Sequence, residues 1–160
     1  MNKKYHKKPY REGVNAIVID NKNNFLLVQK NKYKDNEWNF LGGGRKEDET
    51  LKENLFRELS EEIGAEKENF EIIGISSHKI EYDYPADTAL KIHNGKYRGQ
   101  SYNQVILRFI GNKDKLVFNT KEIRKHKWVQ PDKLEKYLIF PKQYSCHKKA
   151  IDENSPGIIL

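Results

Sequence analysis

The sequence has few of the features that are typical of secreted or membrane proteins. It contains one cysteine, Cys146, so it cannot form an internal disulfide framework. It has no apolar run close to the roughly 18 residues of a membrane-spanning helix. Its start, MNKKYHKKPY, lacks the apolar core of a signal peptide. We therefore expect a cytoplasmic protein that does not associate with a membrane.

Positive charge, by contrast, is abundant. The 160 residues carry a net charge of +7, and 11% of them are aromatic. The charge suits an anionic partner such as a nucleotide or RNA, although biased codon usage would also produce it. The aromatic content argues against disorder. We expect a flexible basic arm over residues 1–9 and a single domain over residues 10–160.

One stretch, GGGRKEDETLKENLFRELSEEIGA over residues 42–65, combines a glycine loop with many carboxylates. Thr50 and Glu53 form a capping-box pattern that predicts a helix starting at Leu51, and Gly64 predicts its end. With about 3.6 residues per turn, the apolar residues fall on one side of this helix and three glutamates fall on the adjacent side. These glutamates are Glu58, Glu61 and Glu62.

Three neighbouring carboxylates repel one another and destabilise a helix unless a cation lies among them. Ligands that are all oxygen atoms favour a hard ion, Mg²⁺ or Mn²⁺, which keeps some waters and bridges to phosphates. Solvated glutamates are the simpler interpretation for a surface helix taken at random. The spacing of the surrounding residues decides between these interpretations.

That spacing resembles the Nudix box, G-x5-E-x7-R-E-U-x-E-E-x-G-U, in which U is apolar. The matching residues are Gly43, Glu49, Arg57, Glu58, Leu59, Glu61, Glu62, Gly64 and Ala65. The resemblance to Nudix hydrolases implies metal-dependent hydrolysis of a pyrophosphate bond in a nucleoside diphosphate that is joined to another group.

The resemblance also implies a set of ligands for roughly two or three Mg²⁺ or Mn²⁺ ions. They are the backbone carbonyl of Gly43 and the side chains of Glu58, Glu61, Glu62 and Glu122. The last of these comes from a later loop, where a solvated glutamate is the alternative interpretation.

The family resemblance implies catalytic and supporting roles as well. The general base would be Glu58, Glu61 or Glu122. Arg57 and Glu49 would form an ion pair that orients the carboxylates rather than reacting. Gly64 would support the site by closing the helix.

Apolar and alternating runs predict strands on both sides of the helix. The strands cover residues 14–19, 25–28, 70–76, 80–84, 105–110, 116–118 and 127–129, and short helices cover 131–138 and 143–151. This order predicts an α/β protein, an α/β/α sandwich around a mixed sheet. The long irregular stretch of residues 85–99 predicts a substrate-facing loop.

Segments outside the box resemble the bacterial RNA 5′-pyrophosphohydrolases and diadenosine polyphosphate hydrolases. The segments are YREGVNAIVID, WNF, EYDYP, YRGQ and the spacing from Glu122 to Trp128. This branch implies substrate contacts by Lys30, Phe140 and Lys142. Tyr82 and Tyr84 lie on one face of a predicted strand, which suits stacking on a base. Solvation or core packing is the alternative for each of them.

Two segments depart from that branch. Phe40 is followed by Leu41 and three glycines, where the branch has proline and glutamine, and Gln100 is followed by Ser101 rather than by a lysine-rich run. The substrate is therefore either an RNA 5′-triphosphate end or a dinucleoside polyphosphate, or else a free or damaged nucleoside triphosphate. A non-catalytic nucleotide-binding module is the alternative of another class. We expect no stable protein partner, and a monomer or a homodimer.

Overall fold

The computed structural model describes residues 7–160, which form one sheet with helices on both faces. The strands are β1 (Tyr10–Ile19), β2 (Phe25–Lys30), β3 (Leu41–Gly44), β4 (Phe70–Ile75), β5 (Ile80–Asp83), β6 (Gly99–Phe109) and β7 (Ile123–Val129). The helices are α1 (Leu51–Ile63), α2 (Leu134–Tyr137) and α3 (Gln143–Asn154). None of the helices in this part of the chain is long and apolar enough to cross a membrane.

The sheet is mixed because its two longest strands are parallel neighbours. β1 pairs with β6 along its whole length, from Tyr10 opposite Gly99 to Ile19 opposite Arg108. The main strand order is β4-β6-β1-β2-β7, and β3 and β5 pair antiparallel with β1 and β6. β3 pairs with the middle of β1, residues 13–16, and the chain then runs toward α1.

Alternate residues of β1 face opposite sides of the sheet, and helices cover both sides. Val14 and Val18 pack against the apolar side of α1, whose buried members are Leu55, Leu59 and Ile63. Ile17 and Ile19 pack against the other two helices through Leu134, Leu138, Ala150 and Ile151. The predicted α/β/α sandwich around a mixed sheet is confirmed.

Helix α1 begins and ends at the predicted residues because both signals are local. Glu53 N donates to Thr50 Oγ1 over 3.1 Å, and Thr50 N donates to Glu53 Oε1 over 3.2 Å, which completes the capping box. Gly64 has a φ of 66°, in the left-handed region, and its N–H bonds to the carbonyl of Ser60. A glycine adopts this conformation without steric cost.

The predicted strand over residues 116–118 is wrong. These residues run past the end of α1, where Val117 N donates to Ile63 O over 3.0 Å and Asn119 N donates to Glu62 O over 2.9 Å. The last carbonyls of a helix have no partner within the helix. The segment therefore pairs with the helix end instead of a strand. The chain after it contains Glu122, whose charge acts on Glu62 of α1.

The predicted loop of residues 85–99 ends one residue earlier, at position 98, because β6 already begins at Gly99. The loop contains a 3₁₀ turn, Ile92–Gly95. Lys8 Nζ donates to Gly95 O, and Arg98 N donates to Pro9 O over 3.0 Å. Residues 8 and 9 of the predicted arm thus contact this loop, whereas residues 1–6 lie outside the described residues.

Candidate active site

The glycine loop expected from the sequence is strand β3, which pairs with β1, and its three glycines are needed because other atoms occupy the places of their side chains. A Cβ at Gly43 would overlap the Glu58 carboxylate, and a Cβ at Gly44 would overlap the Arg11 guanidinium. Gly42 has a φ of 138°, and a Cβ there would overlap the backbone of β1. Two of the three glycines therefore make room for charged side chains, and the third permits the path of the backbone.

Glu62 is the most buried of the predicted ligands, with 1% of its surface exposed. Its Oε2 accepts a hydrogen bond from Gly42 N over 3.0 Å, and its Oε1 lies 3.8 Å from Lys30 Nζ. Burial raises the pKa of Glu62 to about 8, and the charges of Glu58 and Glu122 act in the same direction, against Lys30 and the Gly42 N–H. The structure thus brings Glu58, Glu62 and Glu122 close enough together to interact.

Arg57 links the other carboxylates to one another and to strand β3. Its Nε lies 2.7 Å from Glu49 Oε1, and its Nη1 lies 3.0 Å from Glu58 Oε1 and 3.2 Å from Glu61 Oε2. Its Nη2 donates to Gly44 O over 2.9 Å. Burial raises the pKa of Glu58, and Arg57 opposes that shift. The guanidinium therefore holds two candidate ligands and strand β3 together.

A divalent cation suits the chemistry of this donor set. No three acidic, histidine or cysteine side chains of residues 7–160 already close around a single point. The candidate ligands are all oxygen atoms, and the carboxylates outnumber the basic side chains in contact with them, Arg57 and Lys30. A hard divalent ion would supply the missing positive charge.

Sequence reasoning missed two further basic side chains near the carboxylates. Arg11 Nη1 lies 3.3 Å from Tyr102 Oη, and both Arg11 and Glu58 act electrostatically on that tyrosine. Partial burial, together with the positive charges of Lys30 and Arg11, lowers the pKa of Lys32. Within residues 7–160, no carboxylate lies within ion-pair distance of Arg11 or Lys32. These side chains have positive charge available for an anion.

The predicted aromatic contacts differ in their surroundings. Phe140 meets Tyr33 edge to face, with ring centroids 5.5 Å apart, and Tyr82 meets Tyr84 at 6.2 Å. Tyr82 is 49% exposed, whereas Tyr84 is 6% exposed and packed. Tyr33 and Arg11 both act electrostatically on Tyr82. We call Tyr33, Tyr82 and Phe140 the aromatic wall.

Lys142 lies two residues beyond Phe140, at the start of α3, and is exposed. Its φ is 63°, and its carbonyl accepts hydrogen bonds from Ser145 Oγ and Cys146 N. Its backbone thus supports the first turn of the helix, while the ammonium group has no hydrogen bond or ion pair with the other residues in the described part of the chain.

The sequence of the chain matches a known protein family. The NUDIX domain model matches residues 9–151. The RNA pyrophosphohydrolase of Zymomonas mobilis is 30% identical over 93% of this chain and 97% of its own length. The RNA pyrophosphohydrolase of Rickettsia africae is 31% identical over 94% of this chain and 93% of its own length.

Solved structures share the fold at lower identity. The E. coli dihydroneopterin triphosphate pyrophosphohydrolase has a TM-score of 0.68 at 17% identity, covering 92% of this chain and 98% of that one. A C. elegans Ap4A hydrolase binary complex has a TM-score of 0.66 at 19% identity, covering 87% of this chain and 93% of that one. The chain belongs to the Nudix family of pyrophosphohydrolases, which confirms the family and the enzyme class predicted from its sequence.

Proposed function

We propose that this Nudix hydrolase removes pyrophosphate from the 5′-triphosphate end of RNA. The observation that carries the proposal is the group of basic side chains beside the carboxylates of α1: Lys30 lies 3.8 Å from Glu62, and Arg11 lies against Gly44 and acts electrostatically on both Lys32 and Tyr82. A triphosphate requires positive charge along its length, and an unpaired terminal base offers a ring face for stacking. The names of the relatives from Zymomonas mobilis and Rickettsia africae support the same substrate.

The proposed ligands of roughly two or three Mg²⁺ or Mn²⁺ ions remain those of the sequence prediction, namely Gly43, Glu58, Glu61, Glu62 and Glu122. When bound, such ions neutralise phosphate oxygens and lower the pKa of a bound water. The surroundings of the side chains favour different roles for them. Glu58 and Glu62 are buried and held by hydrogen bonds, as suits ligands.

Glu61 and Glu122 are the better candidates for the general base that takes a proton from the attacking water. The Glu61 side chain is 49% exposed, and Glu122 is also exposed, so water reaches both. A general base must come within hydrogen-bond reach of the proton that it removes. Arg57 contacts Glu61 from the side and would orient it rather than react.

The phosphate contacts follow from the positions of the basic side chains. Lys30 lies beside Glu62, and Arg11 lies against Gly44, so both are close to the proposed ions. Tyr82, which is half-exposed, would stack on the terminal base. Phe140, in the same aromatic wall, and Lys142 would also hold the RNA end, as the branch resemblance implies.

A substrate panel tests the proposal. The protein is incubated with Mn²⁺ or Mg²⁺ and, in separate reactions, 5′-triphosphorylated RNA, Ap4A, Ap5A and single dNTPs. We expect the highest kcat/KM for the RNA, with 5′-monophosphorylated RNA and pyrophosphate as products. The same RNA with a 5′-monophosphate is the matched control and should remain unchanged. Preferential turnover of Ap4A, Ap5A or dNTPs would contradict the proposed substrate, and nucleotide binding without turnover would indicate a binding module.

The variants Arg11→Gln and Tyr82→Ala test the proposed contacts to the phosphates and to the terminal base. Both variants should raise KM for the triphosphorylated RNA more than they lower kcat, because they remove contacts to parts of the substrate that do not react. Lys149→Gln, which removes an exposed lysine of α3, is the matched control for loss of charge. Equal KM values for all three variants and the wild type would contradict the proposed contacts.

A further inference from the structure

Three lysines surround Tyr137, which packs against the core on the side of the sheet that α2 and α3 cover. Lys127 Nζ of β7 donates a hydrogen bond to Tyr137 Oη over 3.0 Å and lies 5.0 Å from the centre of the ring. Lys136 Nζ lies 5.2 Å from the same centre. The hydrogen bond from Lys127 lowers the pKa of Tyr137, and so do the positive charges of Lys127, Lys136 and Lys133, against burial. We call Lys127, Lys133 and Lys136 the lysine cluster.

No carboxylate in the described part of the chain forms an ion pair with the lysine cluster, and its three side chains are exposed. Glu135, which lies between two of the lysines in the sequence, acts instead on Tyr144 of α3. Because Lys127 and Lys136 contact one ring, their ammonium groups are at most about 10 Å apart, about one Debye length at 0.1 M salt. They repel each other, and an anion between them would relieve the repulsion.

The lysine cluster continues the surface that begins at the aromatic wall. Trp38 meets Tyr137 edge to face, with ring centroids 5.9 Å apart. Gln143 joins Trp38 to Phe140 of the wall. Its Nε2 donates to Trp38 O over 3.0 Å, and its Oε1 accepts a hydrogen bond from Phe140 N over 3.0 Å. Aromatic and basic side chains thus follow one another from the aromatic wall to the cluster.

Strand β7 sets the distance between the lysine cluster and the proposed phosphate site. Its first residue, Ile123, pairs with Lys30, whose Nζ lies 3.8 Å from Glu62 Oε1. Lys127 lies four residues further along β7, which corresponds to roughly 13 Å of strand. An RNA whose 5′ end is bound beside Glu62 is therefore close enough for its next nucleotides to reach the cluster.

We propose that the lysine cluster binds the phosphates of single-stranded RNA beyond the triphosphorylated end. This inference rests on the proposed RNA substrate, and it names the part of the enzyme that holds the rest of the chain. The RNA backbone presents successive negative charges, and proteins that bind single strands combine basic grooves with aromatic side chains. A free nucleoside triphosphate has no such backbone, so the cluster favours RNA over dNTPs.

Binding of single-stranded RNA with a 5′-hydroxyl end, measured by fluorescence anisotropy without metal ions, tests the inference. This probe lacks the triphosphate, so neither the proposed metal site nor turnover contributes to the signal. An RNA of about 12 nucleotides lies within the usual range of single-strand site sizes. The dissociation constant should rise about tenfold or more, and the slope of its logarithm against log salt should fall by about 2, in the triple variant Lys127→Gln, Lys133→Gln and Lys136→Gln.

Two matched triple variants should bind this RNA as the wild type does. One removes the same amount of charge from exposed lysines elsewhere on the chain, namely Lys67→Gln, Lys115→Gln and Lys149→Gln. The other keeps the charge of the cluster, namely Lys127→Arg, Lys133→Arg and Lys136→Arg. If the glutamine variant of the cluster does not fold, Lys136→Gln alone should still reduce the salt slope by about 0.7.

The possible outcomes separate the two proposals. Equal affinity and salt slope in the wild type and the glutamine variant of the cluster would overturn the inference, and so would equal weakening by both glutamine variants. A poly-aspartate peptide that competes as strongly as unlabelled RNA would show a general polyanion surface and would also overturn it. A wild-type protein that binds this RNA through the cluster but does not hydrolyse triphosphorylated RNA would instead contradict the proposed function.

Discussion

His147 determines part of the response of this protein to acid. It is buried on α3, and its ring packs edge-on against Phe40 with centroids 4.7 Å apart. Its Nδ1 lies 2.7 Å from Gln104 Oε1. Since Gln104 Nε2 donates to the carbonyls of His78 and Cys146, the Gln104 oxygen is the acceptor and His147 Nδ1 carries the proton. His147 Nε2 has no hydrogen-bond partner in the described residues, so a second proton would be buried unpaired.

The magnitude follows from the two pKa values of His147. Burial lowers its pKa to about 3 in the folded protein, against about 6.5 in an unfolded chain. As the pH falls below about 6.5, the unfolded chain binds a proton that the folded protein does not, so the free energy of unfolding decreases. This residue alone should remove about 2 kcal/mol of stability between pH 7 and pH 5.

Urea unfolding at pH 7, 6 and 5, followed by tryptophan fluorescence, measures this loss. The variant His147→Gln keeps a neutral hydrogen-bond donor but cannot titrate. Groups that titrate in both proteins cancel when the two free energies of unfolding are subtracted. The difference should move by about 2 kcal/mol in favour of the variant between pH 7 and pH 5. A difference that stays constant over this range would refute the argument.

Three further predictions concern the site. Glu61→Gln should lower kcat about 100-fold or more, because it removes a candidate general base. It should leave the melting temperature unchanged, because Glu61 is half-exposed and is repelled by the neighbouring glutamates. A fall in melting temperature with activity intact would contradict the role of Glu61. Gly43→Ala should abolish turnover, because its new Cβ would displace Glu58. Gly42→Ala should chiefly lower the melting temperature, because Gly42 has a φ of 138°. Similar effects of the two variants on kcat and on the melting temperature would contradict these separate roles. Arg57→Ala should lower both turnover and melting temperature, since Arg57 holds β3 and three carboxylates. Full activity of this variant would exclude an orienting role.

The parts of the structure that the sequence predicted are those with local causes. The capping box at Thr50 and the glycine at position 64 set the ends of α1 without help from the rest of the fold. The spacing of the glutamates follows from helical periodicity, and alternation along β1 separates the two cores.

The parts that the sequence did not predict depend on contacts between distant segments. Residues 116–118 have strand-like composition, but unpaired carbonyls at the end of α1 hold them instead. In the sequence, Arg11 is only a basic residue near the start of a strand. Its guanidinium lies over Gly44 because β1 pairs with β3. The long-range position of a side chain depends on strand pairing, which local patterns do not reveal.

The most direct test of this account is the anomalous diffraction of crystals soaked with Mn²⁺. The account predicts peaks among Glu58, Glu61, Glu62 and Glu122, with one peak in contact with the carbonyl oxygen of Gly43. An absence of peaks at this site, with Glu58 and Glu61 still bound to Arg57 in excess Mn²⁺, would contradict the claim that the carboxylates of α1 exist to gather divalent ions.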